Sequence, residues 1–136
     1  MQPHTIKLET LEDQLTSARK LCAMCDVVVW THYGHQPLIP DLWLPWEKHS
    51  GFTRAMKQFS GEFIEKTVDR IEYGHIEHRN TQFTHYAFHI KGAVKEALLE
   101  SGCLLSFPGL WDPCYYRKGE LIASAIGHEG MITMWK

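Results

Sequence analysis

Two central stretches decide the fold: "FTRAMKQFSGEFIEKTVDRIEY", residues 52–73, and "QFTHYAFHIKGAVKEALLE", residues 82–100. In the first, Phe52, Ala55, Met56, Phe59, Phe63, Val68 and Ile71 fall on one helical stripe. Arg54, Lys57, Glu62, Glu65, Lys66, Asp69, Arg70 and Glu72 lie opposite it, with Glu62 and Lys66 spaced as a helical ion pair. Gly61 interrupts the stripe at a cost of about 1 kcal/mol. In the second stretch, Phe83, Tyr86, Ala87, Ile90, Val94, Ala97 and Leu98 give another apolar face. Asn80 or Thr81 can cap it and Ser101-Gly102 can stop it. Both stretches are therefore expected to be helices.

Working outward, residues 8–25 place Leu8, Leu11, Leu15, Ala18 and Cys22 at helical spacing, and Thr10 with Asp13 makes a capping pattern. DVVVWTHY, residues 26–33, is β-branched and aromatic and reads as a buried strand. Beyond the second central stretch, CLLSF (103–107), CYYR (114–117), ELIASAI (120–126) and MITMW (131–135) read as strands. PGLWDP (108–113) reads as a turn-rich link, and Lys118-Gly119 and Glu129-Gly130 read as hairpin turns, since glycine accepts positive φ. The expected order is α-β-α-α-β-β-β-β. That is an α+β fold, an antiparallel sheet of about four to five strands with three helices packed against it. At 136 residues and 44% hydrophobic, the chain is expected to be a single domain, 1–136, with a real core.

The net charge of −2 and the lack of a Lys/Arg cluster give no nucleic-acid footprint. The first residues carry no signal-type apolar run, and no stretch of eighteen apolar residues suits a membrane span, so the expected location is cytoplasmic. Four cysteines stand at Cys22, Cys25, Cys103 and Cys114. Cys22 and Cys25 close a helix instead of opening one, the wrong end for a low thiol pKa, and Cys103 and Cys114 are not spaced as a second ligand pair. Structural thiols are expected ahead of a zinc or redox site. Cys103 after Ser101-Gly102 is expected to be a buried thiol and not a nucleophile.

Nine histidines are many for this length. On a helix, His85 and His89 stand at i, i+4 and face the same way, the spacing by which two imidazoles share a metal ion. They are the candidate metal ligands, with a divalent metal as the possible cofactor. The bland alternative is a hydrogen-bonded pair on an amphipathic helix. Glu62, Glu65, Asp69 and Glu72 recur on one face but alternate with Lys66 and Arg70, and read as a solvated surface. In GHEG (127–130), turn chemistry accounts for Glu129-Gly130.

The segment THYGHQPLIPDLWLPWEKH, residues 31–49, has no helical period and carries three prolines. A connection this long either packs, binds or is disordered. Leu38, Ile39, Leu42, Trp43, Leu44 and Trp46 make it too apolar for disorder. It is expected to form a lid, with Trp30, His32, His35, Trp43, Trp46 and His49 as candidate binding residues, because tryptophan anchors interfaces efficiently. A cleft is expected where this segment or the 108–113 link crosses the helix face bearing His85, Phe88, His89 and Gly92.

YYRKGELIASAIGHE, residues 115–129, resembles small bacterial immunity-type proteins that bind and neutralise a toxin. The likeness covers fifteen of 136 residues and rests on hairpin residues. It implies a binding role. The leading expectation is thus a small soluble binding protein, immunity- or inhibitor-like, acting on a protein partner. The alternative is a metal-dependent enzyme with a histidine-rich site.

Overall fold

The computed structural model describes residues 2–35, 54, 56–72, 80–105 and 110–136, with side chains at all of these except 33–35, 69–72 and 80–82. Its elements are β1 (His4–Lys7), α1 (Leu11–Met24), β2 (Val27–His35), β3 (Phe63–Glu72), β4 (Asn80–His89), α2 (Gly92–Ser101), β5 (Trp111–Arg117), β6 (Glu120–Ile126) and β7 (Met131–Met134). A 3₁₀ turn, Gly127–Glu129, precedes β7, and residues 56–58 are helical. The fold is mixed helix and strand, as expected. The sheet has seven strands, not four to five, because 63–72, 80–89 and 4–7 add strands that the sequence reading does not give; the order is β1-β7-β6-β5-β2-β4-β3, and every pairing is antiparallel.

The two central stretches correct the sequence reading. Residues 63–72 are strand, not the second half of a helix, and 80–89 are strand, with helix only from Gly92. The apolar positions fit a 3.6 period by accident. Ile64, Thr67, Val68 and Ile71 are β-branched, and Thr84, Tyr86 and Phe88 alternate inward at period two. Gly61 lies in the turn entering β3, so it ends one element before another begins. CLLSF is likewise no strand where it is described, since Cys103 and Leu104 form a turn. The link also shortens, because Trp111, Asp112 and Pro113 belong to β5.

Toward the ends, α1 and the β5–β6–β7 meander form as read, whereas β1, which pairs with β7, is a strand that the sequence reading does not give. Thr10 caps α1: its hydroxyl accepts from the Asp13 N–H at 3.1 Å, and Asp13 Oδ2 accepts from the Thr10 N–H at 3.2 Å. The β5–β6 hairpin turns at Lys118 (φ 49°) and Gly119 (φ 81°), both left-handed, as a tight hairpin requires. Asp26 fixes that turn by accepting from the Lys118 N–H at 3.2 Å.

The core fills one face of the sheet. Val28, Trp30, Tyr86, Phe88, Tyr115, Ala123, Ile132 and Met134 meet Ala18, Leu21, Val94 and Leu98 of the two helices. Trp30 is fully buried, stacks on Phe59 with centroids 6.4 Å apart, and meets Phe88 edge-on at 5.6 Å. Its indole N–H donates to the Leu105 carbonyl at 2.7 Å, so its one polar atom is satisfied.

The N-terminus of α2 takes its cap from another element. Lys91 gives no side-chain cap, and the Ala93 N–H donates instead to Glu62 Oε1 at 3.0 Å. Gly92 makes room for that carboxylate. It sits at φ +51°, and a Cβ there would stand 2.1 Å from Glu62 Oε1.

Candidate functional site: an open sheet face with exposed indoles

Strand alternation places every second residue on the face away from the helices. Register defines the rows on that face. One row runs Thr67–His85–Thr31–Trp111 across β3, β4, β2 and β5. The next runs Glu65–Ala87–Val29–Cys114–Ser124–Thr133–Thr5. Val29, Cys114, Ser124 and Thr133 are half-buried there, in contrast to their buried neighbours on the core face.

Trp111 reaches this face through an irregularity. Between Val29↔Cys114 and Thr31↔Trp111, β5 uses one more residue than β2, and Asp112 takes φ 50°. This bulge turns the Trp111 indole outward, 44% exposed, while Pro113 and Tyr115 stay in the core. Asp112 is held by accepting from the Gly127 N–H at 2.9 Å. A second indole flanks the same face. Trp135, 41% exposed, donates from Nε1 to Ser124 Oγ at 2.8 Å.

Beside Trp111, Thr31 Oγ1 and His85 Nδ1 are hydrogen-bonded at 2.8 Å. Thr31 is buried and His85 half-buried. The pair resembles a hydroxyl–imidazole couple in type, but a buried Thr31 gives a substrate little access, so its evident work is to fix the ring across two strands.

His85 and His89 do not form a metal pair. On a strand, four residues span about 13 Å, too far for two rings to reach one ion. His89 lies exposed at the end of β4, and its N–H donates to the Glu62 carbonyl at 2.8 Å. Phe88, expected beside them, points to the opposite face and is buried in the core. Among the described residues, no three His, Cys, Asp or Glu side chains converge as a metal would require.

Of the other candidate binding residues, Trp30 is in the core, and His32 pairs in register with Thr84 on the core side, half-buried. His35 closes β2 opposite Thr81. Trp43, Trp46 and His49, and with them most of the expected lid, lie outside the described residues. Sequence reasoning missed Trp111 and Trp135. The signal for Trp111 was available in Trp111-Asp112-Pro113, a left-handed-tolerant Asp between an aromatic residue and a proline.

All four cysteines stand as free thiols. Burial pushes the Cys103 thiol up to about 12 and, with Asp26 adding to it, Cys25 to about 11. Burial raises Cys22 and Cys114 as well. Thiols held protonated in this way are poor nucleophiles. In the 127–130 turn, His128 and Glu129 are exposed and stand 3.9 Å apart, and Gly130 takes the left-handed φ of 63°. Among the described residues no helix is long and apolar enough to cross a membrane.

Comparison with protein-family models, with curated proteins and with solved structures returned no match.

Proposed function

We propose that this is a small binding protein that takes a protein partner on its open sheet face, in the manner of an inhibitor or immunity-type protein. The observation that carries the reading is the pair of outward indoles, Trp111 and Trp135, on the face that the described helices leave bare. Indoles give large apolar contact area for little lost rotamer freedom, which is why they concentrate in interface hot spots. The half-buried Val29 and Cys114 between strands supply the flat apolar ground around them. The short resemblance of residues 115–129 to immunity-type proteins points the same way.

The test is capture of a partner from lysate of the source cells on immobilised protein, compared across variants. One specific protein should be retained by the wild type and by Leu99→Ala, an exposed control on α2, and lost by Trp111→Ala with Trp135→Ala. Retention that is indifferent to both tryptophans would overturn the reading.

A further inference from the structure

Trp111 stands on the open face only because β5 carries one residue more than the strand beside it. Pro113 and Tyr115 are buried on the core face. Strict alternation back from them would put the Trp111 indole on the core face too, and Leu110 on the open one. The reverse is observed: Leu110 is 1% exposed and Trp111 44%. The two arrangements differ by a slip of one residue, the step that exchanges the two faces of a strand. Something has to choose between them.

Asp112 is placed to do so. It lies within the bulge and takes φ 50°. L-residues rarely take this φ, and Asp and Asn take it more readily than most. Its Oδ1 accepts from the Gly127 N–H at 2.9 Å, a partly buried bond across to the next strand's end. Gly127 follows β6 and opens the turn Gly127–Glu129. That turn is tied in its own right. The Gly130 N–H donates to the Gly127 carbonyl at 3.1 Å, and the Leu8 N–H donates to the Gly130 carbonyl at 2.7 Å. The Asp112 carboxylate therefore fastens the bulge to a turn that is already anchored.

We infer that Asp112 is a positioning residue for the partner site: its carboxylate holds the β5 bulge, and so keeps the Trp111 indole outward before any partner arrives. The inference rests on the partner-binding reading of the open face and adds to it the residue that sets one of the two anchors. An indole set in advance has less freedom left to lose on binding. The role asks for a side-chain acceptor and for tolerance of positive φ, and not for a negative charge. Asparagine meets both needs. Glycine tolerates the φ but has no acceptor.

The experiment is fluorine NMR of the protein labelled with 5-fluorotryptophan, its five tryptophan resonances assigned by replacing each with Phe in turn. Exposure of each indole is read from the shift of its resonance between H2O and D2O. In the wild type, Trp111 and Trp135 should respond to D2O and Trp30 should not. Asp112→Asn should leave Trp111 as it is in the wild type. Asp112→Gly should shift or broaden the Trp111 resonance and reduce its response to D2O. Trp135, whose Nε1 is held separately by Ser124, should stay unchanged in both variants. A Trp111 resonance that responds in Asp112→Gly as in the wild type would overturn the inference. So would Asp112→Asn behaving like Asp112→Gly, or all five resonances moving together in Asp112→Gly. None of these readouts uses a partner. The partner-binding reading fails on a different result, capture indifferent to Trp111 and Trp135, so the two failures are distinguishable.

Discussion

Trp30 gives its N–H to a carbonyl inside the core, whereas Trp111 turns out of the sheet through a bulge and leaves 44% of its surface in water. The two substitutions should therefore separate stability from binding. Trp30→Ala removes a fully buried, stacked ring and should cost about 3–5 kcal/mol in urea denaturation. Trp111→Ala should cost about 1 kcal/mol or less while losing partner capture. Equal costs at both positions would mean that Trp111 is structural. The sequence shows both tryptophans but not this division. Burial depends on which side of the sheet a residue faces, and one extra residue at Asp112 reverses that for Trp111.

Among elements, the α2 terminus shows how β3 and the helix depend on each other. Glu62→Ala should cost about 1 kcal/mol by removing the acceptor for the Ala93 N–H. Gly92→Ala should cost more, about 1–3 kcal/mol, because it forces a side chain to positive φ and into the Glu62 carboxylate. In the Glu62→Ala background the Gly92→Ala penalty should shrink, leaving the backbone strain alone. Additive losses in a double-mutant cycle would show that the two residues do not meet. This coupling lies where the sequence misleads. Residues 52–73 and 82–100 have apolar positions that satisfy a helical period, and Gly61 reads as a tolerated flaw in the first and Gly92 as a point of close approach in the second. Both glycines are boundaries. Gly61 lies in the turn into β3 and Gly92 opens α2, and the β-branched and aromatic residues on the strand side of each carry the correct reading. By contrast α1, β2 and the β5–β6–β7 meander were legible, because caps and left-handed turn residues mark their ends locally.

For the molecule as a whole, the buried acids set how stability varies with pH. Cys25 and Cys103 are pushed up to about 11 and 12, and burial raises Tyr115 well above its ordinary value while its hydroxyl donates to the Cys103 carbonyl. The folded state then holds protons that the unfolded chain releases from about pH 9 upward. The contribution of these groups is fully present below pH 9 and is lost as pH rises through 11 and 12. The urea midpoint should fall across that window, and Cys25→Ala with Cys103→Ala should flatten the fall even though it lowers stability at neutral pH. A midpoint unchanged from pH 9 to 11 would contradict this burial. The sheet that encloses these groups also defines the binding account, with helices and core on one face and the Trp111 and Trp135 indoles on the other.

Hydrogen–deuterium exchange of the protein alone and with its captured partner tests that account most directly. The account predicts slower exchange around Trp111 in β5 and Trp135 after β7 on partner binding, with α1 and α2 unchanged. Protection confined to the helices, with β5 and β7 exchanging as in the free protein, would contradict it.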